Sequence, residues 1–230
     1  KSAVGVVHAF VPNQGDLWTV SAAYLDRFVE EQRLLAASIH PGEREEEMPY
    51  LRTMSQAGRR VAELHVALAG NNELAEFAPE PTGRDDVQRW IDDLTLCAGR
   101  VFDTLRQRRD ALKDADRAMA DQVLALQPTL RNRLETLLPR ELDAANIRGH
   151  GDLDLSQLLI VKDDIFIVDF EGAPGRTIAE RRRKAPAARD VASLIRSIDY
   201  SATAALERAL KVAHDEHGKL GAALGEWRDR

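Results

Sequence analysis

The stretch "HGDLDLSQLLIVKDDIFIVDFEG", His150–Gly172, determines how the rest of the chain is interpreted. It contains two apolar runs, Leu158–Val161 and Ile165–Phe170, which are separated by the short polar sequence "KDD". Apolar runs of this length on either side of a turn predict two antiparallel strands. We therefore expect a small β-hairpin in which Leu158–Val161 pairs with Ile165–Val168.

Carboxylates stand at both ends of this hairpin. Asp152 and Asp154 lie in the polar loop before it, and Asp169 and Glu171 follow its second strand. Acids at strand ends are common on solvent-facing turns, which is one explanation of the pattern. The alternative is that a cation binds between them, because neighbouring carboxylates repel one another unless a counter-charge is present.

The spacing of these residues favours the cation. Kinase-type phosphotransferases use a loop Asp to accept the proton of the attacking hydroxyl. An amide oxygen five positions later and an Asp after a hairpin hold Mg²⁺. Asp152, Gln157 and Asp169 occur in that order and at that spacing, with Gln in place of the usual Asn. Mg²⁺ prefers hard oxygen ligands and shares them with nucleotide phosphates. The pattern predicts a phosphotransferase that uses ATP and Mg²⁺.

Helical periodicity dominates the rest of the chain. The expected helices cover about residues 19–39, 49–70, 85–109, 114–138 and 188–211, with a last one ending near residue 227. The sequence "APEPTG" at 78–83 is expected to be a loop. His65 and Trp90 lie on apolar faces and are expected in the core. The predicted fold class is therefore mainly α with one small β-hairpin.

Composition excludes several classes of function. The formal net charge of −6 gives no support to nucleic-acid binding. No apolar run reaches the length that spans a membrane. The one cysteine, Cys97, excludes an internal disulfide, suits a reducing cytosol and is expected as a small buried hydrophobe. These features predict a cytoplasmic protein without nucleic-acid or membrane partners.

The beginning of the chain predicts a strand without an evident partner. Val4–Val11 is rich in β-branched residues, and an unpaired strand needs a neighbour. Either it pairs with a much later segment, or its sheet lies upstream of Lys1. We favour the second, and so expect the chain to be a fragment.

Three stretches, "HGDLDLSQLL", "FIVDFEGAP" and "RDVASLIRSIDYSA", resemble the bacterial maltokinases. These include enzymes fused to trehalose synthase, and they are related to aminoglycoside phosphotransferases within the protein-kinase-like fold. The opening "GVVHAFVPNQGDLWT" is similar to the segment between their two lobes. The resemblance implies the C-terminal lobe of such a kinase, with a hinge strand and linker over residues 1–16. The helical lobe that carries the catalytic loop and the metal motif would cover residues 17–230.

The resemblance also implies roles and partners. Asp152 would be the catalytic base, Gln157 and Asp169 would hold Mg²⁺, and Glu171 would lie near the metal or the sugar. His150 would be a structural member of the loop. ATP would be the phosphate donor, and three backbone positions would face its adenine: Ala9, Phe10 and Val11. Maltose or a related sugar would be the acceptor, and a fused or associated trehalose synthase domain a partner.

Positions around these motifs are open to more than one interpretation. Arg189 and Asp190 either fix the long helix against the catalytic loop or form an ordinary ion pair at its start. Three positions depart from the family pattern: Asp154 replaces the usual His, Ser156 the usual Gly and Ala173 the usual Glu. Asp154 adds a negative charge to a site that must accept ATP, which raises the proton affinity of Asp152 or recruits another cation.

Formation of maltose 1-phosphate is the leading hypothesis for the function. Phosphorylation of another sugar, of glucosamine or of an aminoglycoside is the near alternative. A non-catalytic lobe that binds a partner is an alternative from a different class. Kinases of this type also need a Gly-rich strand pair and a Lys that grips the phosphates, and neither occurs before Val11. We therefore expect the isolated chain to be inactive.

Overall fold

The computed structural model describes residues 9–34, 47–70, 73–138, 142–212 and 216–229. Within these residues the chain is mainly helical, as predicted, and has two small antiparallel sheets. The helices are α1 (Leu17–Leu34), α2 (Glu47–Ala69), α3 (Arg84–Arg108), α4 (Asp114–Ala125), α5 (Gln127–Leu137), α6 (Ile178–Arg181), α7 (Ala188–Leu210) and α8 (His217–Arg228). The strands are β1 (Glu80–Pro81), β2 (Ala145–Asn146), β3 (Leu158–Val161) and β4 (Asp164–Ile167). A search of the described helices found none with the length and apolar character of a membrane span.

The predicted hairpin is confirmed. Strands β3 and β4 pair antiparallel, with Leu158 opposite Ile167 and Val161 opposite Asp164. A connection of two residues joins them, as expected where apolar runs flank a short polar turn. Strand β4 ends at Ile167, so Phe170, which the sequence placed in the strand, lies beyond it and is half exposed.

An ion pair fixes the second strand of the hairpin to α2. The Nε and Nη2 atoms of Arg60 each donate to one carboxylate oxygen of Asp164 at 2.7 Å. Gln56 donates to the same carboxylate at 2.9 Å. These bonds, of which those from Arg60 have the larger effect, hold the pKa of Asp164 well below its usual range. The hairpin is thus attached to a helix that lies about a hundred positions earlier in the sequence.

The predicted first strand, Val4–Val11, lies mostly outside the described residues, and residues 9–11 are not in a strand. Pairing with the hairpin begins slightly later. Backbone hydrogen bonds of 2.8 and 2.9 Å join residues 14 and 15 to Ile160 of β3, and a bridge at residue 16 continues the contact. Residues 14–16 follow the predicted strand, so the partner of Val4–Val11 stays a prediction.

The chain divides into two compact units. The first is formed by the described residues within 1–79 and 147–230, and the second by those within 80–146. All residues that the sequence placed in a catalytic or binding site belong to the first unit. The predicted boundary between a linker over 1–16 and a lobe over 17–230 remains a prediction.

Buried apolar side chains of the first unit form two clusters. One lies under the hairpin and the loop that precedes it, and its members are Leu17, Ala57, Val61, Leu153, Leu155, Leu158, Ile165 and Leu194. The other joins α1, α2, α7 and α8 and contains Tyr24 and Tyr50, whose rings stack with centroids 4.1 Å apart. Because Leu153 and Leu155 are fully buried, they fix the backbone on both sides of Asp154 and immediately after Asp152.

The second unit differs from the prediction at two places. One helix was expected over about residues 114–138, but two are present, α4 and α5, which meet at Leu126. Pro128 lies in the first turn of α5. It has no backbone N–H for the helix ladder and therefore favours a new helix start. The predicted loop at 78–83 contains β1, which pairs with β2.

Burial corrects one prediction about the core, confirms a second and qualifies a third. Cys97 is exposed, so the expectation of a buried hydrophobe was wrong. The buried positions of α3 include Val87 and Ile91, and Cys97 falls to one side of the stripe they define because an α-helix repeats every 3.6 residues. His65 is buried as predicted, and Trp90 is partly buried.

Candidate functional site

A buried carboxylate in the first turn of α7 fixes the loop that carries Asp152. Oxygen Oδ2 of Asp190 accepts a hydrogen bond from the backbone N–H of His150 at 2.7 Å. Oxygen Oδ1 accepts one from the N–H of Gly151 at 2.9 Å. The ring of His65 lies 3.0 Å from Oδ2. Of the two interpretations of Asp190, the one in which it fixes the long helix against the loop is confirmed.

The charge of Asp190 is stabilised by these bonds. Burial has the largest single effect and raises its pKa, since a carboxylate loses solvation in the interior. The hydrogen bonds from His65 and from the N–H groups of Gly151 and His150 act in the opposite direction. Together they outweigh burial, and the pKa of Asp190 is lowered. Asp190 is therefore a fixed negative charge on which the loop is built.

His150 connects this loop to the end of the hairpin. Its ring is buried, and Nε2 lies 2.8 Å from the carbonyl oxygen of Val168. The backbone N–H of Asp152 donates to Nδ1 at 3.4 Å. A carbonyl only accepts, so the two contacts together require the neutral tautomer with its proton on Nε2. The expected structural role of His150 is consistent with these bonds, which tie residues 152 and 168 to one ring.

Two glycines allow the backbone segments of the site to approach closely. A Cβ atom on Gly149 would lie 2.7 Å from Oδ2 of Asp190, which is closer than packing permits. Gly151 has a φ of 88°, and a Cβ there would contact the Cα of Gly172 at 3.8 Å. The loop before Asp152 thus packs against the backbone that follows the second strand, and it does so without side chains in between.

Gln157 is held at both its backbone and its side chain. Its Oε1 atom accepts the N–H of Asp154 at 2.8 Å, and Oδ1 of Asp154 accepts the N–H of Ser156 at 2.7 Å. The carbonyl oxygen of Gln157 accepts the N–H of Val168 at 3.0 Å. An amide oxygen has two lone pairs, so the bond to Asp154 is compatible with one further ligand.

The three predicted acidic site residues lie on segments that these bonds bring together. Asp152 is partly buried, whereas Asp169 and Glu171 are exposed. Asp169 has a φ of 69°, in the left-handed region that Asp adopts more readily than most residues. No three His, Cys, Asp or Glu side chains form a metal-binding group in the part of the chain that the structure describes. The metal set of Gln157, Asp169 and Glu171 therefore stays a prediction.

The three positions expected to face adenine lie at the start of the described chain. Ala9 and Phe10 are exposed, and Val11 is partly buried. The carbonyl oxygen of Val11 accepts a hydrogen bond from the side chain of Asn13 at 3.0 Å. Their role in nucleotide binding remains a prediction.

Sequence reasoning missed a group of arginines beside the loop. A cavity of about 20 Å³ adjoins Gly149 and Gly151, enough for about one water molecule. Four arginines contribute to its lining: Arg176, Arg181, Arg183 and Arg189. The stretch "ERRRKAP" carries the signal, but a run of basic residues in a loop does not by itself indicate where its charges converge.

These arginines shape the electrostatics of the site. The pKa of Arg189 is lowered, mainly by burial and to a smaller extent by the positive charge of Arg176. The carboxylates of Asp190 and Asp152 act in the opposite direction and raise it. Arg181 donates from Nε to the carbonyl of Arg176 and from Nη2 to that of Pro174, each at 3.0 Å. Arg181 thus orders the segment that follows Asp169 and Glu171, and positive charge lies within range of the loop carboxylate of Asp152.

No protein-family model matches the chain. A glucosamine kinase from Mycolicibacterium smegmatis (strain ATCC 700084 / mc(2)155) is 25% identical to it over 206 residues, which make up 89% of this chain and 44% of that protein. The chain therefore spans less than half the length of this curated relative.

Solved structures of glucosamine kinase share the fold. One crystal form superposes with a TM-score of 0.66 at 20% identity, over 96% of this chain and 46% of that one. A complex of glucosamine kinase with glucosamine, ADP and inorganic phosphate has a TM-score of 0.63 at 20% identity, over 94% of this chain and 44% of that one. At this level of identity the likeness establishes the fold alone.

Proposed function

We propose that the chain is part of an ATP-dependent phosphotransferase that acts on a hydroxyl group of a sugar. The observation that carries the proposal is the connection made by His150. This ring and the carboxylate of Asp190 fix the Asp152 loop beside the end of the hairpin, where Asp169 follows. Phosphoryl transfer depends mainly on positioning and charge stabilisation, and these bonds hold together the two backbone segments that carry Asp152 and Asp169.

Each carboxylate has a proposed role. Asp152 accepts the proton of the sugar hydroxyl as that oxygen attacks the terminal phosphate of ATP. Gln157, Asp169 and Glu171 supply hard oxygen ligands, which suit Mg²⁺. The metal, when bound, would neutralise the charge of the phosphates. The carboxylate of Asp152 also lies within electrostatic range of the Arg189 guanidinium.

We further propose that the acceptor is an amino sugar of the glucosamine type. The relative detected by sequence is a glucosamine kinase, and a structural neighbour was solved with glucosamine and ADP. The comparisons give no support to maltose as the acceptor or to a fused trehalose synthase. The expected resemblance to maltokinases thus extends only to sugar kinases in general.

Activity of the full-length protein tests this proposal. The protein is incubated with ATP, Mg²⁺ and either glucosamine or maltose, and new sugar phosphate is detected by ³¹P NMR. We expect glucosamine to be phosphorylated and the Asp152→Asn variant to lose most of the turnover. Asp163→Asn is the matched control, because Asp163 is an exposed acid in the turn of the same hairpin. The absence of any sugar phosphate with either acceptor, while the protein is folded, would favour a non-catalytic lobe instead.

A further inference from the structure

A second and larger pocket adjoins the loop that carries Asp152, and Asp154 and Ser156 of that loop line it. Its volume is about 430 Å³, within the range of small-molecule sites. Its lining comes from the start of α1, from the loop residues Asp154 and Ser156, and from one face of α7. All of these residues belong to the first unit.

The aromatic wall of the pocket is formed by two helices that are distant in sequence. Trp18 of α1 stacks on Tyr200 of α7, with ring centroids 5.8 Å apart and an angle of 28° between the planes. Tyr200 is two-thirds exposed, so its ring and hydroxyl are accessible from the pocket side. An accessible aromatic surface of this kind packs well against the apolar C–H face of a pyranose ring, and its polar tip reaches the hydroxyl groups.

The polar wall of the pocket carries the carboxylate of Asp154. Asp154 accepts the N–H and the hydroxyl of Ser156, at 2.7 and 2.6 Å, and both bonds use Oδ1. A carboxylate has a second oxygen with which to bind a ligand. Arg196 and Ser193 of α7 line the same pocket. The lining therefore offers an anion for an ammonium group, and hydrogen-bond donors and acceptors for hydroxyl groups.

The pocket is rigidly connected to Asp152. The N–H of Leu155 donates to the hydroxyl oxygen of Ser197 of α7 at 3.2 Å. Leu153 and Leu155, on either side of Asp154, are fully buried. Asp152 lies only two positions before Asp154 in this loop. A ligand that contacts Asp154 and Tyr200 is thus held at a fixed distance from the carboxylate of Asp152.

From this arrangement we infer that the pocket of Trp18, Tyr200, Asp154 and Arg196 binds the acceptor, and that Asp154 selects a protonated amino group on the sugar. The inference rests on the proposed sugar phosphotransferase function and deepens it. It also gives a role to the negative charge of Asp154: this charge recruits the cationic amino group of the acceptor.

Binding of glucosamine and of glucose to the full-length protein, measured by isothermal titration calorimetry without nucleotide, tests the inference. Asp154→Asn retains an oxygen that can accept the N–H of Ser156 and removes only the charge. We expect about tenfold weaker binding of glucosamine by this variant and less than a twofold change for glucose. Tyr200→Ala, at an exposed position, should weaken the binding of both sugars, whereas the control Asp163→Asn should change neither.

The outcomes separate this inference from the proposed function. If the wild-type protein binds and phosphorylates glucosamine but Asp154→Asn and Tyr200→Ala bind it normally, the acceptor lies elsewhere and the pocket assignment is wrong. If Asp154→Asn weakens the binding of glucosamine and of glucose equally, Asp154 does not select the amino group. If no sugar is bound or phosphorylated by the wild-type protein, the proposed function fails together with the inference.

Discussion

The Nε2 atom of His65 lies 3.0 Å from Oδ2 of Asp190, and both side chains are buried. The two residues come from α2 and α7 and are 125 positions apart. The same carboxylate accepts two backbone N–H groups from the loop before Asp152. A contact inside the core therefore influences how firmly the candidate catalytic loop is held.

Substitution of His65 tests the strength of this anchor. We expect His65→Leu to lower the free energy of unfolding by about 1–3 kcal/mol, because it removes a donor from a buried carboxylate. Urea denaturation followed by circular dichroism measures the change. His217→Leu is the control, since His217 is exposed at the start of α8, and it should stay within about 0.5 kcal/mol of the wild type. Equal stability of the two variants would show that the bond contributes little.

Asp190 should make stability depend on pH in the acid range. Its pKa in the folded chain is lowered from the ordinary 3.8. The unfolded chain therefore takes up a proton at this residue at a higher pH than the folded chain does. The stabilisation is present above about pH 4 and is lost as the pH falls through the folded pKa. Asp190→Asn should reduce the slope of unfolding free energy against pH below pH 4, and an unchanged slope would contradict the assignment.

Gly149 should not tolerate a side chain. A Cβ atom there would lie 2.7 Å from Oδ2 of Asp190, and that oxygen is already fixed by its own hydrogen bonds. We expect Gly149→Ala to destabilise the protein by about 1–3 kcal/mol, as overpacking does. Gly58→Ala is the matched control. It lies within α2 with no neighbouring atom inside 4 Å, so thermal unfolding should show no loss and a gain of up to about 1 kcal/mol.

The ion pair between α2 and the hairpin should be visible in a titration. Arg60 holds the pKa of Asp164 well below its usual range. In the Arg60→Leu variant the pKa of Asp164 should rise towards 3.8, the ordinary value, as its main stabilising bonds are lost. NMR titration of the side-chain carboxyl carbon measures this. The pKa of Asp86, which is lowered mainly by its bond from the Gly83 backbone and not by Arg60, should be the same in both proteins.

The two candidate site carboxylates should differ in their kinetic effects in the full-length protein. Asp152→Asn should reduce kcat by at least tenfold with little change in nucleotide affinity, because it removes a proton acceptor. Asp169→Asn should instead increase the Mg²⁺ concentration needed for half-maximal rate. Steady-state kinetics at varied Mg²⁺ and ATP separate the two. Identical behaviour of the variants would show that the proposed division between base and metal ligand is wrong.

Local patterns predicted the hairpin and most of the helices. Strands β3 and β4 are adjacent in sequence and are mostly apolar runs on either side of a short polar turn, so their pairing needs no information from elsewhere. The same holds for the expectation that Asp152, Gln157 and Asp169 meet near one hairpin. Their segments are joined by the bonds of His150 and Val168, while their roles remain proposals.

What the sequence did not predict depends on contacts between distant elements. His65 lies on an apolar face and has no local feature that distinguishes a core histidine from the partner of Asp190. Trp18 and Tyr200 come from α1 and α7, which are separated by more than 150 residues. Periodicity identifies the face of each helix but not which helix it meets. The acceptor pocket therefore emerged only from the three-dimensional arrangement.

The pairing of β1 with β2 has a consequence for how this chain can vary. Glu80 lies opposite Asn146, so the two ends of the second unit lie next to each other. A compact unit with adjacent ends is a form in which domains accept insertions. Residues 80–146 form a compact unit of their own, and all the candidate site residues lie outside it. We therefore expect helices α3 to α5 to vary more in length and sequence among related proteins than the loop around Asp152.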